Sequence, residues 1–270
     1  MLVHLPDRGV VEISGEDRVS FLQGLVSNDV TQARPGQAVW AAMLTPQGKW
    51  QADFFILATE DALLLECERA QAAWLVKTLG RYKLRAKVAL RDVSDAHAVY
   101  VAWGQMPQTG AAVMAADPRH PHAGWRVIAT EALPQNASVA DWHQHRIALG
   151  LPDGGRDMEA EKSVLLEAGF DELHGVSWSK GCYLGQELTA RTKYRGLLKR
   201  RLVPVRVMGP LPEAGTPITH HGDEVGTLRF GVGGMAMALL RLEAIGAVSL
   251  ECGAAVLMPQ KPEWMTISAV

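Results

Sequence analysis

Cysteine is scarce in this chain: there are three in 270 residues, Cys67, Cys182 and Cys252. No two share a CxxC spacing, which argues against a zinc knuckle or a thioredoxin-type site. An odd number spread this far apart suits a reducing compartment better than a disulfide scaffold. No stretch approaches the ~20 uninterrupted apolar residues of a membrane span. The N-terminus lacks the basic start and long apolar core of a signal peptide. A cytoplasmic chain with no membrane partner is therefore expected. An excess of one charge is also missing: 27 Lys and Arg stand against 29 Asp and Glu, for a formal net charge of −2. No global positive field exists to hold nucleic acid, and no direct nucleic-acid binding is expected. Internal repeats and low-complexity segments are absent. What remains is an ordinary globular composition, 48% apolar and 21% charged, long enough for one large or two to three small domains.

The apolar pattern gives the elements. Val10–Ile13 reads as a strand, and Val19, Leu22 and Val26 place a helix over 16–26, with Ser14 or Asp17 as its cap. Ala38–Thr45 and Trp50–Ala58 read as strands around the turn Pro46-Gln47-Gly48, and Ala62–Glu66 as a third. A helix over 69–79 follows, then strands at 88–93, 97–103, 111–115 and 125–129. Val139–Leu149 reads as a helix stopped by Gly150-Leu151-Pro152. Beyond Arg201, short apolar runs at 203–207, 216–219, 225–230, 236–242, 254–258 and 265–267 alternate with Gly and Pro, with a hairpin tip at Gly222-Asp223. This tail predicts a small antiparallel barrel or sandwich, and the whole an α+β protein. Gly231-Val232-Gly233-Gly234 lacks the strand–helix context of a dinucleotide fingerprint.

The densest chemistry lies in Lys180-Gly181-Cys182-Tyr183-Leu184-Gly185-Gln186-Glu187. Two glycines bracket a cysteine, which predicts a shaped loop rather than continuous helix. Thiolate is the reactive form of cysteine, and nearby cations favour it. From Lys180 to Arg201 there are seven basic residues and one acid, Glu187. Either a solvated basic face beside a buried, inert cysteine or a reactive thiol is consistent with composition. His220-His221 resembles a metal pair, but neighbours in a strand point to opposite faces, so no metal site is expected. His143 and His145 do not share a helical face. Asp153, Asp157, Glu159 and Glu161 read as a solvated acidic loop.

Lys180–Glu187 resembles the K-G-C-Y-x-G-Q-E signature of the YgfZ-type folate-binding proteins, relatives of the glycine cleavage T-protein. Phe21-Leu22-Gln23-Gly24 with Asn28-Asp29-Val30, the Leu44–Gly48 turn, Gly150-Leu151-Pro152 and Phe170–Leu173 are similar to other family motifs, in the same order. The resemblance covers nearly the whole chain. It implies a three-module T-protein-like ring: a discontinuous α/β folate-binding domain over 1–34 and 132–200, a ferredoxin-like domain over 35–131, and a C-terminal β-barrel over 201–270. It implies tetrahydrofolate or another reduced folate as cofactor. Trp142 would form a pterin wall, its alternative being a core aromatic. Arg191 and Arg195, with Lys193, would meet the glutamate tail, their alternative being a solvated basic patch. A second aromatic folate contact of the family is not carried over, because Arg8 stands near that position.

Cys182, with Lys180 beside it, would serve as a redox or cluster-touching thiolate, or else shape the loop formed with Gly181, Tyr183, Gly185, Gln186 and Glu187. One cysteine does not hold an iron–sulfur cluster alone. The function implied is an accessory factor for synthesis or repair of iron–sulfur clusters in client enzymes, including those that methylthiolate tRNA, with one-carbon transferase-like turnover left open. The alternatives are a folate-dependent aminomethyltransferase, a non-catalytic folate-binding adaptor, or a demethylating enzyme. Against the aminomethyltransferase, the paired acids that follow the T-protein turn are reduced here to Asp53, displaced from the paired position.

Overall fold

In the computed structural model, which describes residues 1–110 and 113–267, the chain divides into two compact units. The first gathers Met1–Pro46, Gln51–Val139 and His174–Gln186. The second gathers Gln47–Trp50, Ala140–Leu173 and the chain from Glu187 on.

Among the described residues the first unit contains two five-stranded sheets. One runs Val39–Leu44, Trp50–Ala58, Ala62–Glu68, Arg8–Ser14, Ala89–Asp92. Its apolar side chains Val11, Ile13, Phe54, Ile56 and Leu65 pack on the helices Arg18–Gln23 and Ala72–Gly80 in one hydrophobic core. The other runs Leu2–His4, Ala98–Ala102, Trp125–Ala129, Val113–Ala116, Gly36–Gln37, antiparallel except for the last pair. Of the strand expected over 111–115, Ala111 and Ala112 lie outside the described residues, and the rest begins at Val113. The first helix is shorter than its periodicity implies, ending at Gln23. Neither expected cap operates: Asp17 occupies the N-cap position but turns its carboxylate to the amide of Lys87, 2.7 Å away.

A buried ionic network ties the two sheets together. Glu66, on one sheet, accepts from Arg8 Nε at 2.8 Å and from Arg126 Nη1 at 3.1 Å, and Arg126 belongs to the other sheet. Arg126 also reaches Asp117 at 3.1 Å, which Arg119 holds at 2.8 Å. All five are buried. The guanidinium of Arg126 lies 3.9 Å over the Phe55 ring, and that of Arg119 lies 5.2 Å over Trp40. Burial pushes the Asp117 carboxyl up, but Arg119 and Arg126 outweigh it and hold its pKa at about 2.

The second unit carries a closed antiparallel barrel, in strand order Arg200–Met208, Met235–Arg241, Asp223–Val232, Pro217–His220, Leu250–Cys252, Ala255–Pro259. Val203, Val205, Ile218, Leu228, Ala238 and Leu257 fill it. Residues 265–267 form no strand; Met265 instead packs into the barrel core, and Leu250–Cys252 completes the closure. The hairpin tip is His221-Gly222, both at positive φ (53° and 89°), as a two-residue hairpin turn demands. That turn cancels the strand alternation expected for His220 and His221, whose ring centroids come within 4.1 Å. Among the described residues no group of three or more His, Cys, Asp and Glu side chains could hold a metal ion. The acidic stretch is not simply solvated. Asp157 is buried and bonded to Arg146 at 2.6 Å, and Glu159 meets Arg229 at 2.6 Å.

Replacing Arg126 by Met leaves Glu66 and Asp117 buried with one guanidinium fewer. The expected cost is about 3–5 kcal/mol, read as a fall in the urea midpoint without a change in slope.

Candidate functional site

The candidate site is the Cys182 loop and the floor it rests on, both within the first unit as far as Gln186. Lys180 anchors the loop. Its ammonium donates to the backbone carbonyls of Val26 and Asn28, each at 2.7 Å, and lies 5.3 Å from the Tyr183 ring centroid. Lys180 is thus a positioning residue, and its charge is already engaged. Burial lowers its pKa to about 8, with the Asp29 carboxylate opposing the shift. Tyr183 is buried, and the amide of Leu184 donates to Gly24 O at 3.2 Å. Gly181 and Gly185, at φ 94° and 79°, let the chain reverse on either side of Cys182. Cys182 is exposed, whereas Cys67 and Cys252 are buried. Burial pushes the Cys67 thiol up to about 12 and raises that of Cys252. Gln186 and Glu187 open the helix Gln186–Tyr194.

The floor is built by the first-helix motif. Gln23 donates to Asp29 Oδ1 at 2.9 Å and accepts from the Val30 amide at 2.8 Å. The Thr31 hydroxyl, 2.7 Å from Asp29, is the main cause of a lowered Asp29 pKa, so this carboxylate stays charged. The Asn28 amide group donates to Trp40 O at 2.8 Å and to His174 O at 2.7 Å. Beside this floor opens a cavity of about 380 Å3, lined among others by Asn28, Asp29, Trp40, His174, Ser177 and Ser179. The sequence reading assigned no role to Asn28 or His174. The readable signal was the Asn-Asp pair at the end of a helix, since such side chains cap and bridge turns.

Of the expected folate contacts, Trp142 and Arg191 are already engaged within the protein. Trp142, on the helix Val139–Ala148 of the second unit, is 2% exposed, with its ring 5.9 Å from that of His145. A pterin needs an open ring face, and Trp142 offers none, so it stands as a core aromatic. His143, on the same helix, is buried against Phe230 and accepts from Arg146 Nε at 2.9 Å, which places its ring proton on Nε2. Arg191 is exposed and paired with Glu187 at 2.7 Å; Lys193 is paired with Asp171. Arg200 and Arg201 meet Glu167 and Glu172. The basic run after the loop is therefore largely neutralised. Arg195, exposed at the end of its helix, has no ion pair among the described residues. These residues do not fit a reduced folate as they stand. Arg8, set aside in the sequence reading, belongs to the buried network.

Asp53 is equally committed. It is buried and accepts from the Trp40 indole at 2.9 Å, so the one acid after the Gly48 turn is not an open general base.

The Lys180 anchor gives a pH signature. Its pKa is lower folded (about 8) than in the free residue (10.5), so the unfolded chain binds more protons between those values and stability rises with pH across that window. Lys180→Met is expected to remove this increment, seen as a shallower rise in unfolding free energy between pH 8 and 10.5 than in the parent. It is also expected to speed hydrogen exchange at the Leu184 amide.

Compared with known proteins, residues 4–115 match the GCVT N-terminal domain and residues 199–267 match the CAF17 C-terminal beta-barrel domain. The iron–sulfur cluster assembly factor IBA57, mitochondrial, of Mus musculus is 33% identical over 278 residues, spanning 89% of this chain and 77% of its own length. The Homo sapiens protein of that name is 32% identical over 279 residues with the same coverage. The Mycosarcoma maydis homolog is 39% identical over 227 residues, or 76% of this chain, which spans 56% of that longer protein. The solved structure of glycine cleavage system aminomethyltransferase T from Bartonella henselae superposes with a TM-score of 0.73 over 98% of this chain and 86% of its own, at 12% identity, a likeness of fold. The expected T-protein-like α+β fold stands. The cytoplasmic location expected from the sequence does not, because these relatives are named mitochondrial proteins. The narrower resemblance to YgfZ-type proteins likewise gives way. By sequence over most of its length, this chain belongs to the IBA57 family of iron–sulfur cluster assembly factors.

Proposed function

We propose that this chain assists iron–sulfur cluster assembly by presenting Cys182 as one ligand to a cluster whose remaining ligands come from a carrier or client protein. The observation that carries this reading is the contrast among its cysteines: Cys182 is exposed on an anchored loop, whereas Cys67 and Cys252 are buried with raised pKa values. A cluster ligand must be a thiolate. Cys182 is exposed, so its sulfur can reach an iron of the cargo, the thiol hydrogen passing to water as the sulfur–iron bond forms. Clusters need about four such ligands, so a single accessible thiol suits transfer rather than storage. Lys180 holds the loop on its floor while the partner docks. The clients proposed include enzymes that methylthiolate tRNA.

The reduced folate implied by the resemblance enters this reading without a step, since Trp142 is buried and Arg191 is paired with Glu187. Of the proposed modules 1–34 with 132–200, 35–131 and 201–270, the break at residue 34 runs against the sheet pairing of Arg8–Ser14 with Ala62–Glu68 and Ala89–Asp92, which argues for keeping residues 1–34 with 35–131. The closed barrel supports the last of them. The aminomethyltransferase alternative is disfavoured by the Trp40–Asp53 bond.

The test uses cells lacking their own member of this family, carrying the chain or its Cys182→Ser variant at matched level. Cluster content of iron–sulfur enzymes and tRNA methylthiolation are both read. The parent is expected to restore both and the variant neither. Restoration by both proteins would make Cys182 structural and favour the adaptor reading. Restoration by neither, with aminomethyl transfer by the purified chain, would favour the enzyme.

A further inference from the structure

From Arg69 to Leu90 the chain carries six basic residues and no acid. The structure pairs only the outer two. Arg69 meets Asp95, and Lys87 meets Glu16 at 2.8 Å. Lys77, Arg81, Lys83 and Arg85 have no ion pair among the described residues. They stand among exposed apolar side chains: Trp74 is 36%, Tyr82 39% and Leu84 90% exposed. On the helix Ala72–Gly80, Leu75, Thr78 and Leu79 turn into the core. Trp74, Lys77 and Arg81 recur at the three- and four-residue spacing of the opposite face. Beyond it, Arg81-Tyr82-Lys83-Leu84-Arg85 alternates cation with apolar side chain, all exposed. Successive turn bonds, Tyr82 N to Leu79 O, Lys83 N to Gly80 O and Ala86 N to Lys83 O, fix this segment. Leu84 takes a positive φ of 42°, which is unfavourable for a leucine and stands its side chain clear of the fold.

We propose that residues 74–85 form a docking surface for an anionic lipid bilayer, bound at the interface without spanning it. The proposal is independent of the role of Cys182. It revises the expectation of no membrane partner, which rested on the missing spanning segment; among the described residues no helix is long and apolar enough to cross a membrane. Four exposed cations with no ion pair among the described residues select a negatively charged partner. The apolar side chains select among such partners. Nucleic acid offers phosphates and stacking faces but no aliphatic phase for Leu84. A rigid protein surface must provide a matching pocket for a side chain that stands proud. A bilayer interface meets both demands: phosphates for Lys and Arg, and the headgroup–acyl boundary for Trp, Tyr and Leu.

The test is co-sedimentation of the full chain with vesicles of phosphatidylcholine and phosphatidylglycerol, against phosphatidylcholine alone. Binding is expected only to the anionic vesicles, with release at high salt. Lys83→Ala combined with Arg85→Ala is expected to weaken partitioning about thirtyfold, at the usual contribution per cation near an anionic surface. Leu84→Ser, which leaves charge untouched, is expected to weaken it about tenfold. All three positions are exposed, so the variants should keep the parent unfolding midpoint. Equal binding to both vesicle types, an unaffected double variant or an unaffected Leu84→Ser would each overturn the proposal. So would retention on single-stranded RNA without retention on vesicles, which would make the surface a nucleic-acid site.

Discussion

The buried bonds between Glu66, Arg126 and Asp117 are the constraint on which the first unit depends. They join two sheets through charges that water does not reach, so each partner must be present for the others to be tolerated. The guanidiniums of Arg119 and Arg126 then lie over Trp40 and Phe55, which places Trp40 inside the unit. From there the order passes outward. The Trp40 indole bonds Asp53, its carbonyl receives Asn28, and the carbonyl of Asn28 receives Lys180. The exposed thiol thus stands two residues from the end of a chain of contacts that begins with a guanidinium of the buried ionic cluster over the Trp40 ring.

Much of the fold was legible in the sequence because alternation and helical spacing report burial directly. Trp50–Ala58 and Trp125–Ala129 appear with the boundaries expected, and the Gly- and Pro-punctuated tail closes as a barrel. The departures share a physical cause, a partner distant in sequence. Asp17 leaves its own helix for Lys87, and Leu250–Cys252 becomes a strand because a barrel edge needs closing. The candidate loop was legible as a loop from its glycines. The use of Lys180 was not, since its acceptors lie more than 150 residues away.

The two basic stretches show why composition does not reveal a charged surface. The run from Lys180 to Arg201 is conspicuous in sequence, yet Glu187, Asp171, Glu167 and Glu172 neutralise most of it. The run around Tyr82 falls between an expected helix and an expected strand and is inconspicuous in sequence, yet its central cations have no ion pair among the described residues. Folding decides which positive charges stay available, by bringing carboxylates to some and leaving others to solvent.

The anchor beneath Cys182 has one further property. Both atoms that receive the Lys180 ammonium are main-chain oxygens. Every amino acid supplies that oxygen, so no substitution at Val26 or Asn28 can delete the acceptor itself. The receiving half of the clasp is written in backbone and is indifferent to sequence drift. A change at the lysine codon, by contrast, removes the donor outright.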